Sequence, residues 1–379
     1  MLFGLATDLD YPFRGDESHF IDTIEYFGEE FGFSVWQDYP EVTGPLFYFL
    51  YAAWGKLAGF NPSSLRTLSI IISFITVLLI YRLYRSVLGD IRYVLAGIAV
   101  LLLNPYLAGL SIHVFTDIPA LMFLVLAVTA LRRHQPLLLF ISTACALLVR
   151  QYSVFLVIAA SAWLALPVKW NEDGSRRELA ALLAGCMPLL MMMLLWRGPS
   201  PPSGLALWVP DDGLAYNFRY IPIYVTFMAL YSFPLVLAAW RTVFRKTVVM
   251  AALPLSLSIF FFPLRASGVT VRQTGIETVG LAHGAVQRVL GTGIPGQLFL
   301  WLFCFLGFAL VAGLVRADIR APSKRDAFGL LLTMTTVSFL LIMPFSYQVW
   351  EKYLLMTAPF VSLRLLMSVR AERLSSPCP

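Results

Sequence analysis

The chain has 379 residues, of which 59% are hydrophobic and only 13% charged, and its mean hydropathy is +0.75. Soluble domains carry about 25% charged residues, so this composition excludes a water-soluble globular protein, and the useful unit becomes the bilayer crossing of roughly 20 apolar residues. The formal charge of +6 comes from basic residues scattered between apolar runs and points to no nucleic-acid partner. Four cysteines (Cys145, Cys186, Cys304, Cys378) show no CxxC spacing, and the first three lie inside apolar segments. That pattern suits packing residues, not a disulfide framework or a zinc site.

In chain order, residues 1–7 (MLFGLAT) are too short for a signal peptide or a crossing helix. The next stretch reads as an outer loop, so the expectation is that a first transmembrane helix is missing. Residues 1–64 are the most acidic part of the chain, with Asp8, Asp10, Asp16, Glu17, Asp22, Glu25, Glu29, Glu30, Asp38 and Glu41 against Arg14 and Lys56. Within them, 19–31 place His19, Ile24 and Phe27 near one face, which predicts a helix on the membrane surface. Residues 45–58 (PLFYFLYAAWGKLA) predict a second interfacial helix, ending at Gly59. Eleven apolar segments follow: 65–81, 93–111, 118–131, 136–149, 152–168, 179–196, 220–240, 247–263, 296–315, 328–345 and 353–369. The expected fold is therefore all-α, a polytopic transmembrane bundle of about 11 helices. Two parts are expected, an outer loop over 1–64 and one membrane unit over 65–379.

Charge alternation tests this count. The loops at one end, beginning with 82–92, hold 17 of the 28 Lys and Arg against 7 acidic residues, a net of +10. The loops at the other end, with the N-terminal stretch and Arg66 at the start of the first apolar segment, hold 10 basic and 15 acidic residues, a net of −5. The remaining Arg364 lies inside the last apolar segment. By the positive-inside rule the basic loops face the cytoplasm.

Polar residues gather at the outer ends of the segments: Asp16 and Glu17 in the first loop, His113 and Asp117 between the second and third segments, and Arg150 and Gln151 between the fourth and fifth. Asp211, Asp212 and Arg219 precede the seventh, and Tyr347, Glu351 and Lys352 precede the last. Each has a plainer alternative. Asp16 and Glu17 could be solvated carboxylates, Asp117 a helix N-cap, His113 a structural histidine and Arg150 a snorkelling side chain. Lys352 could be a boundary anchor, and 197–219 a plain connector.

The first loop reads Arg14-Gly15-Asp16-Glu17-Ser18-His19-Phe20, then Val35-Trp36-Gln37-Asp38-Tyr39-Pro40-Glu41-Val42-Thr43-Gly44-Pro45-Leu46. This resembles the GT-C superfamily of membrane glycosyltransferases, with an acidic first outer loop followed by a Trp and a Pro-containing entry into the membrane. Within it, the chain is most similar to the dolichyl-phosphate-glucose α-1,2-glucosyltransferases that complete the N-glycan precursor. Phe115-Thr116-Asp117 resembles that family's Tyr-Thr-Asp motif, Val149-Arg150-Gln151-Tyr152 its Phe-Arg-Gln-Thr motif, and Lys352-Tyr353-Leu354-Leu355 with Pro359 its Lys-Tyr-Leu-Leu-Val-Pro stretch. Gly44-Pro45 departs from the usual double Pro, and His19 is shifted by one position.

The resemblance implies transfer of a hexose, glucose in the family it resembles, from a polyprenyl or dolichyl phosphate to a glycan or lipid-linked acceptor, with inversion. Asp16 is then the base that takes the acceptor's proton, with Glu17 sharing or orienting. Arg150 is the first choice to hold the leaving phosphate, because a guanidinium grips phosphate at two points; Lys352 is the second. His113, Asp117 and Gln151 would bind sugar hydroxyls or support Arg150, and Asp38, Asp211, Asp212, Arg219 and Glu351 would line the acceptor loop. No cofactor is expected beyond the lipid-linked donor, and no cluster demands a metal, although the acidic loop leaves a divalent ion open. The partners implied are the bilayer, the donor and the acceptor. A transporter or flippase of lipid-linked sugars is the alternative, but it would favour charges at the bilayer midplane and repeated halves. Short loops suggest a prokaryotic plasma membrane with the site on its outer face, or the lumenal face of the endoplasmic reticulum in a eukaryote.

Overall fold

The computed structural model describes residues 9–12, 15–166, 174–209, 215–320 and 327–375; Asp211, Asp212 and the first eight residues lie outside them. Among the described residues all regular structure is helical, with no strand. Four helices are long and apolar enough to cross a membrane: Pro62–Leu88, Ser175–Trp196, Ile294–Ile319 and Ala327–Phe345. The other predicted segments are also helical, but shorter and interrupted. The chain is an integral membrane protein.

The interruptions have local causes. Segment 93–111 breaks after Leu102, where the Asn104 side chain accepts the Tyr106 N–H and Pro105 opens a new helix. Segment 220–240 breaks at Ser232, with Pro234 in the first turn of the next helix. Between Pro136–Val149 and Val154–Leu164 the backbone turns extended at Arg150 before one 3-10 turn. Two helices, not one kinked helix, are therefore present there.

The chain folds into two compact units. The first comprises 1–83, 102–157 and 164–211. In it, Pro136–Val149 packs against both Asp117–Arg133 and Ser175–Trp196. The two helices expected in the first loop are present as Glu17–Glu29 and Pro45–Ala58, and they pack on each other through aromatic edges. The Phe20 ring lies 5.8 Å from that of Phe47, and Phe27 5.5 Å from Tyr48. The stretch expected to form a loop domain of its own thus belongs to the same unit as the helices that follow it.

The second unit comprises 84–101, 158–163 and 212–379. Ile294–Arg320 is its central helix, packed on Tyr220–Tyr231 and Lys246–Ser256. Arg364, isolated within an apolar run, is buried and paired here: it donates to Asp318 at 2.5 Å and to Ser368 at 2.8 Å. Asp318 stands in the last turn of Ile294–Arg320 and Arg364 within Ala358–Ser375, and a buried charge in either place is tolerated only if compensated. Two short helices that sequence periodicity did not reveal, Gly268–Thr274 and Leu281–Leu290, fill the long connection before the central helix.

Candidate active site

In the first unit the acidic pair divides into two environments. Asp16 immediately precedes helix Glu17–Glu29 and is exposed, with helical backbone and no side-chain capping bond. Glu17, one residue on, is fully buried. Its carboxylate accepts Arg66 Nε at 2.9 Å on one oxygen and Arg66 Nη2 at 2.7 Å on the other. The Val114 N–H adds a third bond at 3.1 Å, and His113 Nδ1 lies 3.2 Å away. Burial opposes the charged form of Glu17, but the hydrogen bonds from Arg66, His113 and Val114 outweigh it and bring the carboxyl down to about 2. Arg66 uses its remaining edge on the carbonyls of Leu9 and Tyr11, at 2.6 and 2.7 Å, and its guanidinium carbon stands 3.8 Å over the Tyr11 ring.

This Glu17–Arg66 pair therefore binds three stretches together: 9–11, the start of Glu17–Glu29 and the turn 113–114. Sequence reasoning missed Arg66. It stands in the first turns of the first apolar helix, where a basic residue near an end reads as snorkelling. The available signal was the acidic loop itself, which needed one buried cation to hold it down.

The second cluster lies at the end of Pro136–Val149. Arg150 donates through Nη2 to Asp117 at 2.9 Å, and the Tyr152 hydroxyl lies 3.4 Å from the other Asp117 oxygen. Asp117 is fully buried and Arg150 is 6% exposed. The Asp117 carboxylate thus fixes the direction of the guanidinium as well as sitting at a helix start. Gly15 and Asp117 are linked through one ring: a Cβ on Gly15 would lie 3.9 Å from Phe115, two residues before Asp117. The Phe115 ring is also 5.6 Å from Phe20. Asp16, His113, Asp117 and Arg150 consequently belong to one packed end of the unit.

Gln151 has a different role from the sugar contact expected of it. Its Nε2 donates to the Val42 carbonyl at 2.9 Å, and Ser200 Oγ donates to that same carbonyl at 2.9 Å. Beside this double bond, Gly44 N–H reaches the Val149 carbonyl at 3.2 Å. A Cβ on Gly44 would stand 2.0 Å from the Leu148 carbonyl oxygen. That contact explains the departure from a double Pro: a proline at 44 would lose the N–H and collide with the helix end.

Residues 197–209 are a clamp on the first loop, not a plain connector. Asp38 accepts the Ser203 N–H at 2.9 Å and its hydroxyl at 2.6 Å, so it caps the short helix Pro202–Trp208. Trp208 donates to the Pro40 carbonyl and Trp196 to that of Trp36, at 2.9 and 2.8 Å.

In the second unit, Glu351 is buried and its oxygens take the N–H groups of Ala282 and His283 at 3.0 and 2.7 Å, with the Tyr231 hydroxyl at 2.5 Å. Glu351, expected to line the acceptor loop, holds the first turn of Leu281–Leu290. Lys352 next to it is half-buried, with its ammonium 6.0 Å from the Trp350 ring and 5.9 Å from Tyr353. Arg219 is half-buried before helix Tyr220–Tyr231, its guanidinium 5.6 Å from the Tyr220 ring. Among the described residues no three His, Cys, Asp or Glu side chains gather as a metal site.

Residues 40–196 match the family model described as dolichyl-phosphate-mannose-protein mannosyltransferase. No curated protein matches the chain. Among solved structures, ArnT from Cupriavidus metallidurans in the apo state is similar at 13% identity and a TM-score of 0.42, over 96% of this chain and 75% of that one. The same protein bound to undecaprenyl phosphate is similar at 14% identity and a TM-score of 0.40, over 98% and 76%. The family match supports a membrane glycosyltransferase of the GT-C type; it describes mannosyl transfer, not the glucosyl transfer of the sequence resemblance.

Proposed function

We propose that the chain transfers a sugar from a polyprenyl-phosphate donor to a glycan or lipid-linked acceptor, with Asp16 as general base and inversion at the anomeric carbon. One observation carries this reading: Asp16 is exposed at the start of helix Glu17–Glu29, while its neighbour Glu17 is buried and bonded on both oxygens. A carboxylate that already neutralises a guanidinium and accepts a backbone N–H is poorly suited to take a proton. An exposed one beside it can do so. Glu17 then acts as a positioning residue, keeping the helix start and Asp16 in place.

The leaving polyprenyl phosphate develops negative charge, and Arg150, aimed by Asp117, is the cation assigned to it. Gln151 and Ser200 act one step back by fixing Val42, and with it the loop next to Arg150. The reaction site is assigned to the outer face on the charge alternation of the loops, and the hexose class on the sequence resemblance.

The test is turnover of purified protein with a panel of polyprenyl-phosphate hexoses, followed as released polyprenyl phosphate. Asp16→Asn should lower turnover by about 10²–10⁴-fold with donor binding and melting temperature unchanged. Arg150→Lys should weaken donor binding, since the two-point grip is lost. Near-normal turnover in Asp16→Asn, with loss in folded Glu17→Gln, would assign the base to Glu17. Sugar movement across vesicles without any release of polyprenyl phosphate would make the protein a transporter.

A further inference from the structure

A cavity of about 210 Å³ opens in the second unit between Ser258–Phe261, Leu281–Leu290 and the start of Ile294–Arg320. Its walls are of two kinds. Phe260 and Leu300 are apolar, whereas His283, Gln287, Thr292 and Gln297 present hydrogen-bonding groups. No charged side chain lines it among the described residues. The volume falls below the roughly 300–1,000 Å³ of sites for drug-sized ligands, so it suits one ring and not an oligosaccharide.

The polar wall is built rather than incidental. His283 is 1% exposed, and its Nδ1 accepts the Val279 N–H at 3.2 Å, which puts the proton of the neutral ring on Nε2. The Gln287 amide nitrogen stands 3.0 Å from that Nε2; because two N–H groups would face each other there, the amide is assigned the flipped orientation, with its oxygen accepting from the ring and its NH₂ turned the other way. Burial keeps the imidazole neutral, with its pKa lowered to about 4. The Glu351 carboxylate anchors the first turn of this helix from behind. The neighbouring surface is apolar: Phe261 is 79% exposed, Ile294 73% and Leu298 52%.

From the polar but uncharged wall beside an exposed apolar surface, we infer that this cavity binds the neutral, hydroxylated headgroup of a membrane lipid: a single sugar ring on a lipid anchor. Amide and imidazole groups offer both donors and acceptors to vicinal hydroxyls, and the absence of a cation leaves a phosphate headgroup without a partner. The lipid chain would lie along the exposed Phe261, Ile294 and Leu298. The inference does not rest on the catalytic reading, and either can fail without the other.

The experiment uses the full chain in phosphatidylcholine nanodiscs with three photoactivatable lipids of the same chains: a monohexosyl diacylglycerol, a plain diacylglycerol and a phosphatidylglycerol. Labelled peptides are mapped by mass spectrometry. The hexosyl lipid should label residues 259–300 in preference to the other two. Gln287→Leu should cut that labelling roughly threefold to tenfold, the loss of one or two hydrogen bonds, and Leu300→Trp should abolish it by filling the space. Val289→Ala, at an 80% exposed position on the same helix, should leave it unchanged. Equal labelling by phosphatidylglycerol or plain diacylglycerol overturns the inference, as does unchanged labelling in folded Gln287→Leu.

Discussion

At Glu17 a buried carboxylate faces a buried guanidinium, and removing either leaves the other charge without compensation. Breaking such a pair costs about 3–5 kcal/mol. Glu17→Gln should therefore lower the thermal stability of the first unit, a loss that melting of the purified variant will reveal. The same pair sets a pH dependence. The Glu17 carboxyl sits at about 2 when folded, against an ordinary value of 4.5. Its contribution is thus fully present above about 4.5 and is lost as pH falls towards 2. Wild-type melting temperature should drop across that window, and the Glu17→Gln variant should lack this part of the drop. Asp16, the proposed base, is exposed at the start of its helix, so Asp16→Asn should change turnover without moving the melting curve.

Among the elements, the turn 42–45 is tightly constrained. Its carbonyl at Val42 takes two side-chain donors, and its glycine rests against the end of Pro136–Val149. Gly44→Ala would force a Cβ to within 2.0 Å of backbone oxygen. Since a helix terminus cannot yield as a side-chain tip can, a destabilisation of about 1–3 kcal/mol or more is expected, together with weaker donor binding through displaced Arg150. Melting and donor titration of Gly44→Ala, compared with Gly109→Ala, which has open space around it, check this. Legibility in the sequence follows the same division. Glu17–Glu29 and Pro45–Ala58 were readable because each has an apolar face and clear limits, Gly59 among them. The clamp Pro202–Trp208 was not, since about two helical turns are too few to show a period, and its contacts lie about 160 residues away in the chain. Asp38, Gln151 and Glu351 looked like site residues for the same reason that they are useful struts: a polar side chain near an apolar helix end must satisfy something, and sequence does not say whether the partner is substrate or backbone.

On the scale of the whole molecule, the succession of apolar segments made the membrane class legible, because it sums many residues and tolerates errors at any one of them. Buried pairs such as Glu17–Arg66 and Asp318–Arg364 were hidden, because pairing depends on which helices become neighbours. The orientation itself gives a prediction. On a Cys-free background, a cysteine at the exposed Ser34 should react with an impermeant thiol reagent added outside sealed cells, and one at Arg176 only after permeabilisation. The reverse pattern would invert the scheme and move Asp16 to the cytoplasmic face.

The clamp has a consequence for biosynthesis. Ribosomes add residues at about 5–20 per second, and the Trp208–Pro40 contact spans 168 positions. Roughly 10–30 s must therefore pass between synthesis of the first loop and arrival of the segment that locks it. During that interval the loop has its Arg66 anchor but neither the Ser203 cap on Asp38 nor the tryptophan bonds to Trp36 and Pro40. The acidic region is thus made well before the segment that secures it. Nascent chains arrested shortly after residue 190 should accordingly be cut by protease between 32 and 42, and chains arrested well beyond 208 should resist. A catalytic constellation assembled in this order stays incomplete until the first several helices have entered the membrane, which keeps half-inserted chains inactive.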